Sequence, residues 1–259
     1  MFDFTYFFSA IGEFPEKLGI PLYGSSYLIW MAILLIYIIL VGVYYTNLEF
    51  KKRAGFKKGF ALFIILLELS RQLTYVILGR YRLEYLPLHL CGITEFMILI
   101  YAFRNNRIAK ESLYALGIVG ALMALLFADW LMYPLMHFQS IQSFIAHGSL
   151  MAFIWMLIVS KELKPNYKLL PWVFGVHALL GTVLYFFNKQ FNTNFFFLNY
   201  PSPGSPLEIF EKIAGNPGYI LLTIGLVFVV WLILYLPWII FGHEKKKYVY
   251  KYNQISKNK

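Results

Sequence analysis

Apolar residues in this chain neither alternate with polar ones nor gather on a single helical stripe; they run on for whole segments. Seven such segments follow one another: Ser26 to Tyr45, Lys58 to Gly79, Tyr85 to Phe103, Glu111 to Phe127, Phe138 to Ser160, Leu169 to Phe187 and Gly218 to Phe241. A hydrocarbon core of about 30 Å needs about 20 helical residues at roughly 1.5 Å each, and every segment comes near that length. Barrel strands are shorter and alternate every second residue, which these do not. The pattern predicts an all-α, polytopic membrane bundle of seven transmembrane helices forming one domain over residues 1–259. Connections are short except for Asn188 to Pro217, whose asparagines, prolines and glycines forbid a spanning helix. Its Phe195 to Leu198 core is too apolar for open water, so this stretch is expected to lie as a loop or short interfacial helix over one end of the bundle.

Composition agrees with the pattern. Hydrophobic residues make up 59% of the 259, aromatic residues 20% and charged residues only 14%, too apolar for a soluble globule of this length. A formal charge of +10 would suggest nucleic acid in a soluble protein. Here the basic residues sit between apolar segments, where they set orientation, so the expected partner is membrane lipid and not nucleic acid. Of 23 Lys and Arg, 17 fall in alternate connections or the tail: Lys51 to Lys58, Arg104 to Lys110, Lys161 to Lys168 and Lys245 to Lys259. Five lie on the other side, and Arg71 is inside a segment. That asymmetry predicts a multi-pass protein of the cell membrane with its N-terminus outside and its C-terminus cytoplasmic.

The candidate chemistry consists of polar groups placed where hydrocarbon should surround them, which marks each as a functional candidate. Counting helical rise from the outer ends puts Cys91, Arg71, Gln72, His147, His177 and Glu68 roughly 7 to 16 Å deep, in one layer contributed by four segments. Cys91 and Glu95 are four apart and share a helical face, whereas His89 and Cys91, two apart, point in roughly opposite directions. Pro87 suits a first helical turn, which would put Cys91 near a helix N-terminus. Glu68, Arg71 and Gln72 share a face of the second segment; a Glu68–Arg71 pair is expected, and Arg71 is the best candidate to meet a phosphate or carboxylate. A lone thiol among imidazoles suits nucleophilic acyl transfer: Cys91 takes the acyl group and His147 or His177 moves the proton. Small residues follow both histidines, Gly148 and Ser149 in one case and Ala178 in the other, leaving room for a helix or a lipid chain. No paired histidines at helical spacing accompany His89, His147 and His177, so neither a metal nor another cofactor is expected.

The block Leu86-Pro87-Leu88-His89-Leu90-Cys91, the pair His147-Gly148 and the late stretch from Asn194 to Leu207 resemble the YwaF family of bacterial integral membrane proteins. That family is in turn similar to a eukaryotic multi-spanning acyltransferase that moves polyunsaturated acyl chains onto ether phospholipids. The resemblance implies Cys91 as nucleophile and His147 as base; the residues themselves make Arg71, Glu68, Gln72, His89, Glu95 and Asn194 the substrate-binding candidates. Two function classes follow. The favoured one is a lipid acyltransferase or thioesterase-like enzyme. The alternative is a transporter in which Glu68, Glu95, His147 and His177 relay protons or bind a solute.

Overall fold

The computed structural model describes the backbone of residues 4–257 and the side chains of residues 4–240. The basic tail counted above, Lys245 to Lys259, lies outside the described side chains. Among the described residues nine α-helices run in order: α1 (Ser25–Asn47), α2 (Phe50–Ile77), α3 (Leu90–Arg104), α4 (Arg107–Ser112), α5 (Ile118–Leu126), α6 (Phe138–Val159), α7 (Leu170–Phe191), α8 (Leu207–Ala214) and α9 (Gly218–Lys257). A π-helical turn, Leu113–Gly117, joins α4 to α5 as one rod. Among the described residues there is no strand, only a single antiparallel bridge between Gly19 and Pro134.

Six helical stretches among the described residues are long and apolar enough to cross a membrane: Ser25–Asn47, Phe50–Ile77, Arg107–Met132, Phe138–Val159, Tyr167–Phe191 and Gly218–Ile240. These correspond to six of the seven predicted spans. The third is different. With 15 residues, α3 is about 22 Å long at the α-helical rise, short of a full crossing. Proline disfavours helical dihedrals in the residue before it, and Leu86 (ψ 141°) and His89 (ψ 165°) on either side of Pro87 are extended. The helix expected from Tyr85 therefore starts at Leu90, and His89 is its N-cap. Pro87 lies in the extended approach, not in the first turn.

Local signals set most boundaries. A left-handed Gly79 ends the second helix, with Arg80 N–H reaching back to the Tyr75 carbonyl at 2.9 Å. Asn105 at φ 47° closes α3, and the Asn106 side chain caps α4 by accepting from Ile108 and Ala109 N–H, both at 2.9 Å. Pro171 sits in the first turn of α7, where its missing N–H is harmless.

The core is built on α6, which is buried on most sides. Close approach of α1 to α6 depends on glycine: a Cβ at Gly148 would meet Leu34 Cδ2 at 2.5 Å, and one at Gly42 would meet Trp155 Cδ1 at 2.8 Å. The room predicted after His147 is thus taken by a helix, since α1 also bonds Tyr37 OH to Ser149 Oγ at 3.2 Å. At the basic end, Glu162 gathers Tyr45 OH and Lys57 Nζ, each at 2.6 Å. At the opposite end the connections fold inward. Ser9 and Phe7 of the N-terminal segment bond to His137 and Phe138, and Asn188, Thr193, Asn194 and Asn199 knit the connection after α7 into a cap with Phe195 fully buried.

Candidate functional site

Near the far end of α2 the predicted pair is present. Arg71 donates to both carboxylate oxygens of Glu68, Nη2 at 2.7 Å and Nε at 3.0 Å, the fork geometry that favours arginine over lysine. Arg71 Nη2 also donates to the Tyr85 carbonyl at 2.9 Å, and the Gln72 amide donates to that carbonyl and to Glu68. Tyr75 stacks on Tyr85 with ring centroids 4.0 Å apart. The effect of this cluster is to hold the extended approach to α3 against α2.

That approach makes a tight bend over the first turn of α3. A Cβ at Gly92 would lie 2.3 Å from the Pro87 carbonyl oxygen, so only glycine permits the bend. The bend fixes His89 at the N-cap, with its ring 5.3 Å from Phe195 and 5.1 Å from Phe197. Cys91 follows in the first turn, and its Sγ donates a long hydrogen bond of 3.9 Å to the Gly120 carbonyl of α5. One turn further, the Glu95 side chain is 5% exposed and has no hydrogen-bond partner among the described residues.

Both mid-helix imidazoles have a defined tautomer. His147 Nδ1 lies 2.8 Å from the Ser143 carbonyl and His177 Nδ1 lies 2.9 Å from the Val173 carbonyl. A carbonyl oxygen can only accept, so Nδ1 carries the hydrogen in each ring and Nε2 presents a lone pair. His147 is also stacked on Trp130 at 4.8 Å. Neither imidazole is hydrogen-bonded to the thiol.

These side chains share one chamber. A cavity of about 1540 Å³ reaches from the connections at the far end down to Ala115, Leu150 and Trp231, with mostly apolar walls from α2, α3, α5, α6, α7 and α9. Of the nine residues singled out in the sequence, seven line it: Cys91, His147, His177, Arg71, Glu68, His89 and Glu95. Gln72 and Asn194 do not. Gln72 is used in the α2 clamp, and Asn194 folds its own loop, accepting from Asn199 and Tyr200 N–H and donating to the Tyr200 carbonyl. Ala178, the small residue after His177, does face the chamber.

Sequence reasoning missed Asp129. It stands exposed at the chamber's mouth and couples electrostatically to His89, Cys91 and His147, whereas His177 has no such charged neighbour. An isolated acid just past a hydrophobic segment gives no sequence signal, because it is indistinguishable from an ordinary solvated loop residue. Gln139 and Gln142 were missed too. Both line the chamber, Gln139 accepting from Tyr75 OH at 2.9 Å and Gln142 donating to the Leu67 carbonyl at 3.2 Å.

Residues 22–235 match the TMEM164 family. This chain belongs to the TMEM164 family of transmembrane proteins. The matched stretch begins just before α1 and ends within α9, so it contains every helical residue that walls the chamber. Family membership and six apolar helices together make this a multi-pass membrane protein. Among curated proteins and among solved structures, nothing matches the chain.

Proposed function

We propose that this TMEM164-family protein is a lipid-acting acyltransferase or thioesterase-like enzyme of the cell membrane, with Cys91 as nucleophile and His147 as base. A narrower kinship to YwaF-type bacterial proteins, seven crossings, an external N-terminus and a cytoplasmic C-terminus belong to the same proposal. The observation that carries it is the chamber itself: a thiol and two imidazoles with bare Nε2 atoms line one largely apolar volume of about 1540 Å³. That volume exceeds the about 300–1,000 Å³ of ordinary small-ligand pockets and suits a molecule with long hydrocarbon chains. Asp129 favours His147 over His177 as the base, because Cys91 and His147 share it as an electrostatic neighbour.

In this reading the acyl chain lies along the apolar wall and the thiol gives up its bond to Gly120, turning its S–H toward Nε2 of His147. Sulfur bonds to the ester carbonyl carbon while Nε2 takes the proton. The carbon–oxygen bond to the lysolipid then breaks, and the leaving oxygen takes the proton back. An incoming alcohol reverses the sequence, or water completes a hydrolysis. The unbonded Nη1 of Arg71 is the cation available to a phosphate.

Purified protein incubated with labelled phospholipid and lysolipid tests this directly. A hydroxylamine-sensitive acyl adduct is expected on the wild-type chain and none on Cys91→Ala. His147→Ala is expected to slow turnover by about 10²–10⁴-fold, and His177→Ala to leave it within about tenfold. Undiminished turnover in Cys91→Ala would remove the nucleophile. Solute uptake into proteoliposomes that needs the histidines and ignores Cys91 would replace the reading with transport.

A further inference from the structure

We propose that Glu95 is a catalytic hydrogen-bond donor: a neutral carboxylic acid whose O–H faces the carbonyl oxygen of the acyl group attacked by Cys91. This deepens the acyl-transfer reading above and rests on it. The geometry starts from a side chain without an internal role. Glu95 is 5% exposed, lines the chamber, and has no hydrogen-bond partner among the described residues. The nearby donors are spent elsewhere or leave it alone, Arg71 Nη1 making no hydrogen bond to it. Arg71 spends Nε and Nη2 on Glu68 and the Tyr85 carbonyl, and the Gln72 amide is spent on the same two partners. A second carboxylate beside Glu68 would be an uncompensated buried charge, which proteins avoid by leaving such a group protonated. In that form it carries one O–H that can be donated into the chamber.

Position supplies the acceptor. Glu95 follows Cys91 by four residues on α3, so the two side chains share a face with Cβ atoms about 5–6 Å apart. A carbonyl carbon in contact with Sγ therefore holds its oxygen within reach of the Glu95 carboxyl. As the S–C bond forms, the S–H proton passes to His147 Nε2 and the carbonyl π electrons move onto oxygen. The Glu95 O–H hydrogen-bonds that oxygen and keeps its own proton. Collapse re-forms the C=O bond, breaks the C–O bond to the lysolipid, and sends the His147 proton to the departing oxygen. A buried acid kept neutral in order to donate is a known solution for oxyanions in apolar sites.

The test uses full-length protein in phospholipid nanodiscs carrying a radiolabelled acyl chain, with E95Q, E95A and C91A beside the wild type. A carboxamide still donates, so E95Q is expected to form the Cys91 adduct within about tenfold of the wild-type rate, and E95A to slow it by about 10²–10³-fold. Infrared difference spectra without substrate are expected to contain a protonated-carboxyl C=O band that disappears in E95Q. Adduct formation at the wild-type rate in E95A, with C91A inert, would overturn the role of Glu95 and leave Cys91 chemistry standing. Equal loss in E95Q and E95A would also overturn it, as would a carboxylate band in place of the acid. Adduct-independent turnover in C91A would instead overturn the acyl-transfer reading while the infrared band remained.

Discussion

Arg71 shows how a single side chain can tie a helix to the connection that follows it. Two of its nitrogens bind Glu68 and the Tyr85 carbonyl, and the side chains of the pair are only 17% and 11% exposed. Removing one partner of such a pair strands the other charge. Arg71→Ala is therefore expected to lower folding stability by about 3–5 kcal/mol, read as a fall in the thermal unfolding midpoint in detergent. Replacing Glu68 and Arg71 together by glutamine should recover much of that loss, because no buried charge remains. The Glu68–Arg71 pairing was legible from spacing, since residues three apart on a helix must be neighbours. The shared Tyr85 acceptor was not, because it comes from a neighbouring loop whose path no local pattern specifies.

Among the elements, the N-terminal segment behaves as a strap. His137, at the start of α6, accepts from Gln139 N–H through Nδ1 at 3.0 Å, which leaves Nε2–H to donate to the Ser9 carbonyl at 3.0 Å. The nearby Arg80 guanidinium donates to the Phe8 carbonyl and pairs with Glu13. Burial, with a smaller push from Arg80, holds the His137 imidazole below its ordinary range, although its bond to Ser9 works the other way. Protonation would put a hydrogen on Nδ1 and break the bond to Gln139. A depressed histidine contributes stability that is complete above its ordinary value of about 6.5 and lost as pH falls below it. Hydrogen exchange and protease cleavage of residues 4–14 are thus expected to rise as pH drops from about 7 to about 5. His137→Asn, which keeps a cap acceptor, should flatten that rise. At this scale the sequence placed the long helices well but missed the start of α3. Hydropathy does not register that Pro87 keeps its surroundings extended or that Gly92 lets them fold back.

The whole molecule has two unlike sides. On one, α1 packs closely on α6 through glycines; on the other, α7 and α9 wall a wide chamber, and a Cβ at Gly181, which lines it, would meet nothing within 4 Å. On the proposed function such a space fills from the bilayer. A membrane-permeant maleimide is expected to modify Cys91 in detergent, and reconstitution into long-chain phospholipid should slow that reaction by at least about tenfold, as expected when a bound ligand excludes the reagent. Mass spectrometry of the alkylated peptide reads the outcome.

The sequence by itself determined that this chain lives in a membrane and where its long helices run. Those properties follow from chain-local quantities: segment length, hydropathy and helical rise. Only the tertiary structure decided which way each helix turns about its own axis. That rotation gives Gly148 to α1 and Ala178 to the chamber, turns Gln72 to the α2 clamp and leaves Glu95 on the chamber wall, while the folding of the connections places Asn194 and Asp129. Facing is settled by packing between segments far apart in sequence, and no pattern along one segment encodes its neighbours' shapes.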